Sequence, residues 1–253
     1  AFYSPYDYQR KLDSHMMKNI EWGAVAYLQH SAYGSQESVR INNHLDFLTG
    51  YQGNVEPTCG NSGRENIECN RYCNDGSCNT AYPDSVLSST TGNITGVYDM
   101  SGGALEYTFS ITLDQNGNIV SGRNTLNNSG FNGVFGCPTC DNDTSMLTSL
   151  TTGYELPETK YYDLYMYTNN LVDYQKRILG DATGEVGPFK YVQADKRNIS
   201  SWYLDLANSY IGINTGFFQR GSAYYEGNGS GIFSFTSYYG GNIWDCSYRI
   251  ILT

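Results

Sequence analysis

The stretch Gly96-Val97-Tyr98-Asp99-Met100-Ser101-Gly102-Gly103-Ala104-Leu105-Glu106-Tyr107 runs directly into Thr108-Phe109-Ser110-Ile111-Thr112-Leu113. The first part is loop-like and glycine-punctuated, and the second reads as a short strand. Asn116-Gly117 comes next, a strong hairpin-turn dipeptide, and then Ile119-Val120. Asp114, Asn116 and Asn118 superficially imitate a calcium loop. The glycine such a loop requires is out of place, and Thr125 stands where the bidentate Glu should be, so that reading is rejected.

Upstream lies the best helix signal in the chain. Met17, Ile20, Ala24, Tyr27 and Leu28 recur at helical spacing over His15 to His30, with Asp13 or Ser14 as cap and Gly34 as stop. A core helix is the expectation. Ala1 to Lys11 is aromatic and irregular, an edge-strand candidate. Between Ser35 and Ser89 the text is loop-like, and Cys59, Cys69, Cys73 and Cys78 fall within twenty residues of one another. Two bridges among these four are expected. A four-cysteine zinc site is the alternative, although Cys59 stands apart from the close pairs such a site uses. Cys137-Pro138-Thr139-Cys140 lies between Gly-rich and Asp/Thr-rich loops and reads as a local disulfide rather than a redox motif. Cys246, the odd cysteine, is expected to be free.

The C-terminal stretch Arg220 to Thr253 has another character. Apolar segments around Phe233 and Ile250 read as strands anchored in a core, with Phe233 and Phe235 inward and Ser234 and Thr236 opposite. Around them lie runs of Tyr, Ser, Gly and Asn with one Trp. Tyr and Trp give contact area at low entropic cost, and Ser, Gly and Asn give adaptable hydrogen bonds. The binding face expected from this composition is Tyr224, Tyr225, Asn228, Ser230, Tyr238, Tyr239, Asn242, Trp244, Asp245 and Ser247. Arg220 and Arg249 are assigned to structure, tying strands to neighbouring carbonyls or carboxylates.

The chain has 253 residues, of which 25 are acidic and 15 basic, for a net charge of −10. That charge repels phosphate backbones, so nucleic acid is excluded as a partner, and no apolar run is long enough to span a bilayer. Abundant Tyr and uncharged polar residues, scarce Lys and seven cysteines suit an oxidising, extracellular compartment. Five Asn-x-Ser/Thr triplets carry no weight, because 24 Asn and 44 Ser plus Thr produce about four by chance. Catalytic patterns are weak. His15, His30 and His44 all lie near the N-terminus, and no metal-type spacing, nucleophile elbow or dinucleotide fingerprint occurs. Asp99, Glu106, Asp181 and Glu185 remain carboxylates that could pair. No catalytic residue and no cofactor are assigned, and a structural calcium or zinc ion is not demonstrable from these residues.

Four segments, in order, carry a resemblance. Gly96 to Tyr107 resembles the Gly-Leu-Tyr-Asp-Met-x-Gly-Asn-Val-Trp-Glu-Trp motif of formylglycine-generating-enzyme/sulfatase-modifying-factor domains, a branch of the C-type lectin-like fold. Arg220-Gly221-Ser222-Ala223-Tyr224 resembles that family's Arg-Gly-Gly-Ser-Trp, and Ser247-Tyr248-Arg249-Ile250-Ile251 its closing Gly-Phe-Arg-Leu-Val. Glu21 to Leu28 is similar to its first core helix. His15-Met16-Met17-Lys18-Asn19 with Glu21 to Leu28, and Gly180-Asp181-Ala182-Thr183-Gly184-Glu185, resemble secreted or surface proteins of gut Firmicutes. Many of those carry a type IV prepilin-like N-terminus, a pattern not found in the residues from Ala1 onward. Domains of this fold also serve as variable proteins of diversity-generating retroelements, whose rewritten C-terminal segment corresponds in place to Tyr224 to Ser247.

The resemblance implies a single α+β domain over 1–253, C-type lectin-like, loop-rich, with few helices and short antiparallel strands. It would carry a Cys-rich insertion around 55–90 and a variable-type binding segment at 220–253. The implied function is adhesin-like binding of a protein or glycan ligand on another surface, with no nucleic acid, no membrane span in this chain, and room for an oligomer or filament. A type IV pilin-like surface subunit is the alternative. The family's oxidases use a pair of cysteines to hold copper, whereas Cys246 stands alone in the corresponding region, so an oxidase is the weaker reading.

Overall fold

The computed structural model describes residues 14–36, 39–43, 48–50, 86–113, 159–166, 178–187, 190–192, 197–200, 202–211, 217–238 and 244–252. All cysteines other than Cys246 lie outside these residues, as do the expected edge strand at Ala1 to Lys11, the Asn116-Gly117 hairpin, His44, Tyr239 and Asn242. The described chain is mixed α+β, with one α-helix among short strands.

Strand β1 (Ser14–Met16) leads into helix α1 (Asn19–Gln29). The helix is shorter than the sequence suggests, and its start is capped differently. Ser14 belongs to β1, and Asp13 lies outside the described residues. Lys18 occupies the cap position, its N–H donating to Glu21 Oε2 at 2.8 Å, while Ile20 N–H donates to Asp163 Oδ2 at 2.8 Å. A carboxylate at the helix N-terminus satisfies amides that have no partner inside the helix.

The buried face is also rotated from the expected one. Asn19, Trp22, Gly23, Ala26 and Gln29 point inward, whereas Leu28 is 55% exposed. Ala24 is exposed too. Apolar periodicity alone misplaced this stripe because Asn19 and Gln29 are buried polar residues with hydrogen-bond partners. His15 is in β1 and His30 is the helix C-cap, so neither histidine lies within the helix.

The expected strand over Thr108 to Leu113 is two strands, β2 (Leu105–Thr108) and β3 (Ser110–Leu113). Phe109 between them bridges to Lys18. The sequence from Tyr161 to Leu179 has mixed helical character; its described start is instead the end of a 3-10 turn, Thr159–Tyr161, followed by strand β4 (Asp163–Met166), and 167–177 lie outside the described residues. The remaining strands are β5 (Lys190–Val192), β6 (Arg197–Ile199), β7 (Phe217–Arg220), β8 (Phe235–Tyr238), β9 (Cys246–Tyr248) and β10 (Ile250–Leu252). The expected strand around Phe233 therefore starts only at Phe235. Both phenylalanines point inward, but Ser234 is buried as well, since the chain turns there. In β10 the inward residue is Ile251, with Ile250 and Leu252 exposed.

The largest sheet among the described residues has the order β8-β7-β2-β9. β7 pairs antiparallel with both β8 and β2, and β9 runs parallel to β2. β3 and β4 also pair parallel, so the strands are not all antiparallel. β1 pairs with β10, Ser14 opposite Leu252, which ties together the two ends of the described chain. The main core gathers Met100, Tyr165, Tyr210, Phe218, Phe233 and Phe235 with Trp22 of α1, and a second, separate cluster forms around Tyr107, Phe109 and Phe217.

A buried polar chain runs through this core. Asn19 Nδ2 donates to Tyr165 Oη (2.9 Å), and Tyr165 Oη donates to Asp181 Oδ2 (2.6 Å). Asp181 Oδ1 accepts from Thr183 N and Oγ1, and Tyr210 Oη donates to that Oγ1. These bonds seat the Gly180–Glu185 loop against the helix, and they satisfy groups that would otherwise be costly to bury.

Candidate ligand-binding surface

The C-terminal segment is hung on two internal cations. Arg220 is fully buried, donating to Ala182 O at 3.1 Å, with its guanidinium 5.6 Å from the Trp22 ring and 5.7 Å from that of Phe235. Burial pulls its pKa down to about 10. Arg249 donates from Nε to Glu106 Oε2 at 2.6 Å and from Nη2 to Glu106 Oε1 and to Tyr98 O. Burial works against the Arg249 charge, and the charge and hydrogen bonds of Glu106 more than offset it, so its pKa rises. Both arginines are structural, as their residue types and positions suggest.

The Gly102-Gly103 pair positions the segment after β7. Both residues have φ of +71°, a conformation that strains any side chain, and a Cβ on Gly103 would collide with Leu48 O. The bare backbone lets Gly102 N–H donate to Gly221 O (2.8 Å) and Tyr224 N–H donate to Gly103 O (2.8 Å). Tyr224 is thereby fixed beside the start of β2. From the other side, Leu105 N–H donates to Asp245 O at 2.9 Å and places Trp244 and Asp245 at the same end of the sheet.

Four of the expected residues meet at this corner. The rings of Tyr224 and Tyr225 lie 4.9 Å apart at 83°, and those of Tyr224 and Trp244 lie 6.0 Å apart at 59°. Tyr225 Oη donates to Asp245 Oδ2 at 3.2 Å. Trp244 is 66% exposed, Tyr224 and Tyr225 are half-buried, and Asp245, at 5%, forms the floor.

Ser230, Ser247 and Tyr238 do not join them as a face, and Tyr239 and Asn242 lie outside the described residues. Ser230 is 1% exposed and its Oγ donates to Ala223 O at 3.0 Å, so it braces the loop from inside. Ser247 is half-buried on β9, its Oγ donating to Leu105 O at 3.5 Å. Tyr238 ends β8 opposite Phe217, diagonally across the sheet from Asp245, and packs on the second core cluster. Asn228 falls in the 3-10 turn Gly227–Gly229.

Cys246, half-buried, is the free cysteine among the described residues. Burial pushes its thiol up to about 11, and Gln219 Nε2 donates to Sγ at 3.1 Å. The four carboxylates considered for catalysis are each engaged structurally. Glu106 holds Arg249, and Asp181 accepts from Thr183 and Tyr165. Glu185 accepts from Gly180 N–H, and Asp99 accepts from Gly50 N–H while burial pushes its pKa up to about 6. Among the described residues no three His, Cys, Asp or Glu side chains gather as a metal site, and no helix is long and apolar enough to cross a membrane.

Composition gave little weight to the turn Trp202-Tyr203-Leu204. Its three apolar side chains are exposed, Tyr203 and Leu204 have positive φ, and Tyr203 stacks on His30 and Phe233. The usable signal was three bulky residues in a row between Ser201 and Asp205. A comparison of the chain with models of protein families gives no match, and a search of curated proteins gives none either.

Proposed function

We propose that this is an extracellular, adhesin-like ligand-binding domain of the C-type lectin-like kind, acting through the corner formed by Tyr224, Tyr225, Trp244 and Asp245. The observation that carries the reading is the exposed Trp244, held in a cluster with two tyrosines over a carboxylate by backbone bonds rather than by core packing. Such a surface offers aromatic contact area on a rigid support, the arrangement that makes binding efficient. The side chains at the corner can vary while the main-chain bonds of Tyr224 and Asp245 to the turn before β2 persist. That separation is what a diversified variable protein requires.

The test is capture by the intact chain on arrays of glycans and surface-protein peptides, comparing the unaltered protein with Tyr224→Ala/Trp244→Ala. Loss of capture with an unchanged far-ultraviolet spectrum is expected. Undiminished capture would overturn the assignment of the site. A type IV pilin-like subunit remains the second reading, favoured by the exposed Trp202–Leu204 turn. In that case Trp202→Ser/Leu204→Ser would abolish higher-order assembly in sedimentation while leaving array capture intact.

A further inference from the structure

Strand β6 turns back on Leu206 and Ala207 as a hairpin, and the tip of that hairpin is strained. Ile199 bridges antiparallel to Leu206, Ala207 N–H donates to Asn198 O at 3.0 Å, and Ser200 N–H donates to Asp205 O at 2.8 Å. Asp205 N–H closes the turn on Trp202 O, with Tyr203 and Leu204 between them at φ of +55° and +65°. Positive φ at both central positions is the type I′ arrangement, which Asn-Gly fits and bulky side chains oppose. The core holds the turn in this state. The Tyr203 ring lies 4.4 Å from that of His30 and 5.5 Å from that of Phe233, and its Oη is 3.0 Å from His30 Nδ1. Trp202 meets Tyr27 and Phe233 edge-on, and Phe233 N–H donates to Asp205 Oδ2 at 2.9 Å. A Cβ on Gly231 would stand 2.1 Å from the Asp205 carboxyl, so only glycine lets that carboxyl in. Yet Trp202, Tyr203 and Leu204 remain 37%, 49% and 41% exposed. Backbone strain that the surroundings enforce, beneath apolar side chains turned to solvent, marks a functional element rather than a packing one.

We propose that the Trp202-Tyr203-Leu204 tip docks shallowly on the surface of a lipid bilayer that has no net charge. This site is separate from the corner at Trp244 and does not depend on it. Three features select the occupant. The side chains are of the interfacial kind, since Trp and Tyr rings settle at headgroup depth and Leu reaches the acyl boundary. The tip of a hairpin is convex, so it enters a lipid surface without needing a groove shaped to receive it. The third feature is charge. The chain carries −10 overall, yet both titratable groups beside the turn are neutral at pH 7. Burial pushes the Asp205 carboxyl up to about 8 and pulls His30 below the usual histidine value. The tip therefore carries no charge into the lipid, where one would be costly, while the charge of the rest of the chain opposes an anionic surface.

The experiment is co-sedimentation of the intact chain with phosphatidylcholine vesicles and, separately, with vesicles enriched in phosphatidylserine. The parent is compared with Trp202→Ser and Leu204→Gly. Glycine accepts the positive φ at 204, so Leu204→Gly removes the apolar side chain while easing the turn, and its thermal midpoint should match that of the parent. Trp202 also packs on Tyr27 and Phe233; if its loss lowers the midpoint, Leu204→Gly alone decides. The parent should partition onto phosphatidylcholine and less onto the anionic vesicles. Leu204→Gly should weaken that partition by about five-fold and Trp202→Ser by about ten-fold. Absence of partition onto phosphatidylcholine, equal partition of parent and Leu204→Gly, or a preference for the anionic vesicles would each overturn the proposal. Self-assembly in the absence of lipid that Leu204→Gly abolishes, with no partition onto vesicles, would make the tip a contact between copies and would equally refute it.

Discussion

Replacing Glu106 by Gln should destabilise the fold by about 3 kcal/mol. Glu106 receives two guanidinium N–H groups from Arg249, and their side chains are 6% and 21% exposed. Removing one partner of a buried pair costs roughly 3–5 kcal/mol because the other charge is left without compensation, and the water contact of Arg249 places this case at the low end. For a chain of this size the thermal midpoint should fall by roughly 6–12 °C. Arg249→Met should cost a similar amount, since it strands Glu106 and also gives up the bonds to Tyr98 O and Asp99 O. The double variant should cost less than the sum by about 2 kcal/mol, a coupling that urea titrations of the four proteins would measure. Because β9 pairs with β2 beside this ion pair, the amides of Cys246 to Tyr248 should exchange faster in either single variant. Additive losses, or a loss below about 1 kcal/mol in Glu106→Gln, would refute the claim that this pair secures β9 against β2.

Asp205 is fully enclosed, and burial raises its pKa to about 8 against the pull of Phe233 N–H and Arg220. A carboxyl whose pKa is higher folded than unfolded contributes stability that is complete below about pH 4 and is lost as the pH rises through about 8. The thermal midpoint should therefore decline between pH 6.5 and 8.5, and Asp205→Asn should flatten that decline; an equal slope in the variant would rule this out. Gly23→Ala should cost about 2 kcal/mol or more despite the better helix propensity of Ala. A Cβ there would stand 2.6 Å from Asp181 Cα and collide with Gly180 O, both of them backbone. A variant as stable as the parent in urea would show that the loop can yield.

The presence of one helix and short strands, the inward phenylalanines near residue 235 and the structural use of both arginines were legible from residue types. Each arises from a local preference or from a charge that must be paired when buried. The phase of α1 was not, because polar Asn19 and Gln29 are buried there, their amide N–H groups donating to Tyr165 Oη and Ser35 Oγ. The parallel run of β4 was hidden for a similar reason: Asp163 caps a helix 143 residues earlier.

The same division holds for the surface. The Tyr, Ser, Gly, Asn and Trp content of residues 220–253 made that segment the candidate surface, since the chemistry proposed for it resides in side chains. Which of its members face outward together was decided by strand register and by the Gly102-Gly103 turn. These send Tyr238 to the opposite corner, turn Ser230 inward, and bring Tyr224, Tyr225, Trp244 and Asp245 into one cluster. Spacing along a chain does not encode that selection; it depends on which backbone groups hydrogen-bond across elements more than a hundred residues apart.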